Sequence, residues 1–587
     1  MFCRSTRSLS YLIAFLLLLP VFSSAIASSA NALPYTPTGD TLTVIMKPIQ
    51  TVPAIVTRTD TVRIECLASS STTDWAASLG FRQLSFPLSI ASAQYITSLS
   101  RWRIKATLPT DIPFELYNLS VAASGGVSDM TKHAVQVISA FDTNFYFVHV
   151  TDTHMPTHLY YYQSGADTDS SELVDFREVV KDLNLINPTF LVHTGDIINE
   201  GELEDFEYRR YFTRTQKVLS ELEVPVYVTA GNHDIGGWDS TPMPDGTARQ
   251  TWWRFFGWPY LENPPSGEGH SQNFSFNYGS CHFTGLEAYI NYDGWRSEIY
   301  GNQSFTAEQL SWLSSDLAGA SGTLLQILFH HYDFSSQLNL SSLGVDLALY
   351  GHIHQDKGSL TGWPLNISTN SCCDGRRAYR LIRINGSTIT PKATFSAGSS
   401  GTNLSISFSP ANDGTATHVT ANIVNNINER FERGMVRFYM KQGYNYAVTN
   451  GNLIQTVQSD SVVICYVGVD ILASSSKSVS VDATSGVEEK LPQVSSALVA
   501  TSCFPNPFET ETSIRFSLRS NASVELAIFD VKGQLVKRLA REDLPAGTHT
   551  YSWDATDALM HHVPPGVYFC RVDVDGQRFT SKLVVVK

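Results

Sequence analysis

Five short clusters of His, Asp and Asn stand in the middle of the chain: Asp152-Thr153-His154, Gly195-Asp196, Gly231-Asn232-His233-Asp234, His330-His331 and Gly351-His352-Ile353-His354. Each directly follows an apolar run of strand length, at 145–150, 190–192, 224–228, 324–329 and 345–349. In an open α/β sheet, ligands collect just beyond the carboxyl ends of the strands, so clusters in that position can converge on one site. The donor types narrow the chemistry. Two carboxylates, several imidazoles and an amide oxygen suit borderline divalent or trivalent metals rather than calcium. Asp152, His154 and His354 can hold one ion, and Asn232, His330 and His352 a second. Asp196, with two oxygens, can bridge both. Two ions about 3.5–4 Å apart hold a water between them and lower its pKa, and the resulting hydroxide can attack phosphorus in line. Metal binding needs neutral imidazole, so activity is expected to fall at acid pH.

The elements that must position these clusters alternate between strand and helix from 141 to about 388. The run 144–150 is nearly all apolar, as a buried parallel strand should be. Residues 172–186 carry Leu173, Phe176, Val179, Val180, Leu183 and Ile186 on one helical face, and further helices are expected near 202–222 and 306–318. Such alternation indicates a layered α/β domain. On either side the pattern is all β. Short alternating strands over 33–140 read as a small β-sandwich, and 389–472 as a second β-rich domain. Residues 473–499, rich in Ser, Val and Glu, read as a linker, and 500–587 as a last β-unit.

The five blocks, in this order, closely resemble the calcineurin-like metallophosphoesterase superfamily, whose pattern is D-x-H, G-D, G-N-H-[D/E], a lone His and G-H-x-H. The resemblance covers residues 141–385. It implies a four-layer β-sandwich flanked by helices, with two metal ions (Fe, Mn or Zn) at its edge. It assigns His233 to the substrate phosphate, as general acid or transition-state stabiliser, with Asp234 orienting it. The purple acid phosphatase branch has Tyr where Asn199 stands and lacks the histidine found here at 154, so no tyrosinate–iron centre is expected. The lone block is His330-His331-Tyr332-Asp333 instead of H-x-P. His330 matches better by strand length, and His331 stays open because a slip of one residue turns a side chain to the other face. His149 and His193, just before ligand positions, read as supporting or core groups. Aromatic stretches at 158–163 and 252–258 are candidate pocket walls. Arg209-Arg210, Arg254 and Arg376-Arg377 are candidate phosphate clamps. Cys372-Cys373 reads as a pair of partly buried thiols, with a vicinal disulfide or an extra ligand as alternatives.

The ends of the chain carry an address. Arg4 and Arg7 precede an apolar run over 9–22 and small residues to 32, the pattern of a secretory signal peptide covering 1–32. No other stretch is long and apolar enough to span a bilayer, so no transmembrane segment is expected in the mature chain. The tail opens on Cys503-Phe504-Pro505-Asn506-Pro507-Phe508 and closes near Gly566-Val567-Tyr568-Phe569. It resembles the sorting domain of the type IX secretion system and the related Ig-like sandwich of flagellar hook-capping proteins. That resemblance implies a bacterial protein, secreted or held at the cell surface, with the type IX machinery as partner.

Composition agrees with export. The chain has 587 residues, 43% hydrophobic but only 16% charged, against about 25% charged in an average soluble protein. Its net charge of −14 disfavours a stable nucleic-acid partner. Of eight cysteines, one leaves with the signal, and the odd remainder leaves at least one free or paired between chains. The expectation is a secreted binuclear phosphoesterase acting on a phosphomonoester or phosphodiester through a metal-bridging hydroxide. The alternative is a surface adhesion or carbohydrate-binding protein with a non-catalytic scaffold of the same fold.

Overall fold

The protein is described from a computed structural model, which covers residues 42–155, 171–198, 205–235, 252, 255–256, 273–287, 305, 307–320, 322–459, 461–484, 498–504, 506, 508–518, 521–545, 547–574 and 577–586. The expected signal peptide lies outside these residues. Among the described residues, no helix is long and apolar enough to cross a membrane. The chain divides into two compact units, 1–484 and 485–587.

The core of the first unit is a pair of five-stranded sheets. Their strands are β1 (Asn144–Val150), β2 (Leu191–His193), β3 (Val226–Val228), β4 (Phe274–Tyr278), β5 (Cys281–Gly285), β6 (Leu325–Phe329), β7 (Leu347–Tyr350), β8 (Leu365–Ser368), β9 (Ala378–Asn385) and β10 (Thr388–Ser396). One sheet runs β3-β2-β1-β9-β10 and the other β4-β5-β6-β7-β8. Strands β1 to β3 are mutually parallel, as are β5 to β8. The period of two along each strand explains how the sheets pack. Phe145 and Phe147 of β1, Val192 of β2 and Tyr227 of β3 share one apolar cluster with Ile327 and Phe329 of β6 and Leu347 and Leu349 of β7. The alternate residues face outward. Tyr146, Val148, Val150, Leu191, Val226 and Val228 pack with Leu173, Phe176, Val180 and Leu183 of helix α1 (Ser171–Ile186) and Phe212 of α2 (Asp205–Leu219). On the far side, Leu328 and Ala348 pack under Leu313 and Leu317 of α3 (Ala307–Gly319).

Within α1, Asp182 is buried and accepts a hydrogen bond from Tyr379 Oη at 3.0 Å. Burial pushes its carboxyl up to about 7. The folded chain therefore binds this proton more tightly than the unfolded chain, and Asp182 weakens the fold progressively as pH rises towards and through 7. Asp182→Asn keeps an acceptor for Tyr379 and removes that penalty. It is expected to raise stability by up to about 4 kcal/mol at pH 8, for a carboxyl raised from 3.8 to about 7 at 1.36 kcal/mol per pKa unit, and by about half that or less at pH 5. Equilibrium denaturation at the two pH values measures the difference.

The N-terminal strands form an eight-stranded sheet. Leu84–Ile96 pairs with Ala76–Phe81 through its first half and with Arg101–Thr107 through its second, with a bulge between Ile90 and Ser92. One strand thus serves both halves of the sheet. Its core is continuous with the cluster between the two central sheets, so this segment and the α/β segment are not separately cored. Two boundaries expected from sequence are corrected. Thr388–Ser396, grouped above with the following β-rich domain, pairs with β9 as the edge strand of a central sheet. Ser475–Ala483, read above as linker, pairs with His418–Asn425 along eight residues. The alternation Val479, Val481 turns the apolar side chains of this Ser-rich strand into the core, and its surface serines resemble linker composition. Residues 485–497 of that linker lie outside the described residues.

Polar ties lock the three segments of the first unit together. Arg437 bridges Glu115 at 3.0 Å and also pairs with Glu223, while Tyr466 donates to Glu115. Arg433 pairs with Asp142 at 2.5 Å. The second unit has its own core of Ile514, Phe516, Leu526, Ile528, Trp553, Cys570 and Leu583, between a three-stranded and a four-stranded sheet.

Candidate metal centre

All the nominated metal ligands, with His233 and Asp234, follow the carboxyl ends of β1, β2, β3, β6 and β7. Strand ends alone would leave the loops free, and a net of hydrogen bonds joins them. Asp152 N–H donates to Gly195 O (3.1 Å), His154 N–H to Asp196 O (2.9 Å) and Met155 N–H to Ile197 O (2.6 Å). His352 N–H donates to Asp152 Oδ2 at 3.0 Å, and His233 N–H to Asp196 Oδ1 at 2.9 Å. Asp152, His154, Asp196, His352 and His354 all adopt left-handed backbone, with φ between 47° and 68°. Such conformations cost about 1–3 kcal/mol each and persist only where the surroundings dictate them. The loops also approach too closely for any side chain at the glycine of G-H-x-H. A Cβ on Gly351 would lie 1.8 Å from Thr151 Oγ1 and 2.5 Å from Asp152 Oδ2.

The side chains converge. His154 Nε2 lies 3.1 Å from His354 Nε2 and 3.8 Å from both Asp152 Oδ1 and Asp196 Oδ2. His354 Nε2 is 3.4 Å from Asp152 Oδ1. His331 Nε2 lies 2.9 Å from the same Asp196 Oδ2, and His352 Nδ1 is 3.0 Å from Asn232 Oδ1. Potential donor atoms fall within 4.8 Å of one another in two groups that share Asp196: His154 with His233, and His331 with His352.

One nominated ligand is corrected. His330 does not reach the carboxylates; its ring packs 5.1 Å from Phe334 and 6.4 Å from Tyr350, and its buried Nδ1 has no hydrogen-bond partner. The cause is strand parity. Leu328 points to the outer face, and His330, two residues on, follows it, whereas Ile327 and Phe329 point between the sheets and His331 follows them. His331 Nδ1 pairs with Thr194 O at 2.7 Å, which aims Nε2 at Asp196. Asp234 also differs from expectation. Its Oδ1 accepts from Ile197 and Ile198 N–H and its Oδ2 from Gly231 N–H. Both oxygens therefore fasten the G-D loop to the G-N-H-D loop rather than steer His233. Burial and the neighbouring Asp196 push its carboxyl up to about 8.

The electrostatics favour a cation. Asp152 and Asp196 are essentially without solvent exposure, and burying a carboxylate is costly unless it is paired. Burial pushes both carboxyls up, but the surrounding imidazoles outweigh it and hold both below the usual range. No Lys or Arg contacts either carboxylate among the described residues. In turn, burial lowers the His331 imidazole, but Asp196 beside it outweighs this and holds it up to about 9. Burial depresses His154 to about 4. Two buried carboxylates facing imidazole nitrogens at these distances fit a pair of metal ions in donor type and count.

Other nominated residues fall elsewhere. His149 is held between Thr369 and Thr194, and His193 pairs with Thr153. Arg377 is spent on Asp175, and Arg376 holds His354 O at 2.9 Å. Trp252, Phe255 and Phe256 are buried against Phe212. The loop 158–163, Asn199 and Arg254 lie outside the described residues, as do the side chains of Arg209 and Arg210. Both thiols of Cys372-Cys373 are free and buried. Their loop follows β8 (Leu365–Ser368), a sixth strand end at the site.

Residues 145–356 match the calcineurin-like phosphoesterase family, and residues 506–577 the FlgD Ig-like domain. The uncharacterized protein YvnB of Bacillus subtilis is 25% identical over 260 residues, covering 42% of this chain and 18% of that protein. Purple acid phosphatase 15 of Arabidopsis thaliana is 29% identical over 162 residues, covering 24% and 27% respectively. The matches thus span well under a third of the length of these relatives. The solved purple acid phosphatase PPD1 of yellow lupin aligns over 63% of this chain and 71% of its own, at 12% identity and a TM-score of 0.35. Residues 145–356 are a calcineurin-like phosphoesterase domain, in a chain that also carries a FlgD Ig-like domain.

Proposed function

We propose that this protein is a secreted hydrolase that uses two metal ions to cleave a phosphomonoester or phosphodiester. The observation that carries the reading is the buried Asp196 carboxylate, whose Oδ2 lies near both His331 and His154. Asp152, His154, Asp196 and His354 make up one ligand set, and Asp196, Asn232, His331 and His352 the other. Bound there, two ions would supply Lewis acidity and the means to activate a water. The chain's own residues hold the geometry, and His233 meets the substrate phosphate and protonates the leaving group. Fe, Mn and Zn all suit this mixed donor set. The helix–sheet–sheet–helix order of the apolar clusters supports a four-layer arrangement. Export rests on the N-terminal segment, and type IX secretion on the tail motifs, which a FlgD Ig-like domain alone does not specify.

Metal analysis of the purified chain, with a panel of mono- and diester chromogens, nucleotides and sugar phosphates, tests the reading. About two ions per chain are expected, with hydrolysis that a chelator removes and added metal restores. A chain with no bound metal and no turnover on any ester would instead favour the adhesion scaffold.

A further inference from the structure

The loop after β8 brings a thiol to the metal centre. Cys373 Sγ lies 3.9 Å from His354 Nδ1, and the thiol donates to Asp374 Oδ2 at 3.5 Å. His154, His354 and Cys373 each offer a donor atom within 4.8 Å of the others. The loop is tied to the site at several points. Cys373 N–H donates to Asp152 O at 3.1 Å and Cys372 N–H to Thr151 O at 3.0 Å, while Arg376 holds the carbonyl of His354. Cys373 is only 3% exposed, so water does not compete freely for these contacts.

The two nitrogens of His354 face different groups. Nε2 faces Asp152 and His154, the ligand side. Nδ1 faces the sulfur. An imidazole that binds metal through Nε2 carries its proton on Nδ1, and that N–H nearly always finds a carboxylate, carbonyl or water, which sets the tautomer and the ring plane. Here a thiol occupies that place, with a carboxylate behind it. We propose that Cys373 is the positioning residue of His354: Nδ1–H donates to the sulfur and S–H donates to Asp374, so that a thiol relays the carboxylate to the ligand. This inference rests on the metal-centre reading above.

The test uses the full chain, stripped with chelator and titrated with zinc alone against a chromophoric competitor. Cys373→Ala is expected to weaken one of the two sites about 10–100-fold, the usual effect of losing such a partner. Cys373→Ser, whose hydroxyl also accepts and donates, should recover most of the loss, and Asp374→Asn should weaken the same site. Circular dichroism establishes that each variant is folded. Unchanged zinc affinity in folded Cys373→Ala overturns the proposal. So does a thiolate-to-metal charge-transfer band in the cobalt-loaded wild type that disappears in Cys373→Ser, since the sulfur would then be a ligand itself. Wild-type protein that takes up no zinc overturns the metal-centre reading and this inference together. Two ions in wild type with no change in the variants overturn this inference alone.

Discussion

Asp196→Ala is expected to lower kcat/KM by about a thousandfold or more and to reduce bound metal below two ions per chain. Asp196 lies closer to His331 than Asp152 does, at 2.9 Å against 3.9 Å. Its Oδ2 faces His331 at 2.9 Å and His154 at 3.8 Å, so it belongs to both donor groups, and its Oδ1 accepts the His233 N–H. Removing it would take a carboxylate from both candidate ligand sets and release the loop that carries His233. Metal ions contribute several kcal/mol of transition-state charge stabilisation, and each 1.36 kcal/mol is a decade in rate, which sets the scale of the loss. Asp196→Asn retains an acceptor for His233 N–H but loses the charge. It should behave like the alanine variant in metal content while keeping the fold intact by circular dichroism. Near wild-type turnover in both variants would sink the binuclear mechanism.

His233→Ala separates the metal centre from the proton chemistry. His233 is half-buried beside His154, with ring centroids 4.8 Å apart and planes at 84°. General acid catalysis is worth about 10²–10⁴-fold. The variant should therefore lose that much turnover on esters with poor leaving groups and keep about two ions. Nitrophenyl esters, whose leaving group needs little protonation, should lose much less. Equal losses on both classes would assign His233 to charge stabilisation rather than proton donation. Loss of metal in the variant would make it a ligand.

The site was readable because the chemistry is local in sequence. A parallel strand delivers whatever follows its carboxyl end to one edge of the sheet, so Asp152, His154, Asp196, Asn232, His352 and His354 could be nominated from short motifs alone. Strand β1 was legible residue by residue, since a buried strand is apolar on both faces. The errors arose where two neighbours compete or where composition misleads. His330 and His331 are chemically identical, and only the parity of β6, set by what Phe329 and Leu328 pack against, selects His331. Ser475–Ala483 has the composition of a linker, and pairing with His418–Asn425 makes it a strand.

By itself the sequence determined the set of metal-type donors, the five strand ends that supply it and the all-β tail, because donor type and strand pattern are properties of a few consecutive residues. Three things waited for the tertiary structure: which histidine of the pair faces Asp196, what the Asp234 carboxylate holds, and that Cys373 stands behind His354. Each depends on contacts between segments far apart in the chain. Asp234 is spent on the backbone of the G-D loop, 37 residues away at Ile197. Cys373 meets a histidine 19 residues distant because β8 lies next to β7 in the sheet. A motif records which groups are present, while packing and strand register decide which of their atoms meet.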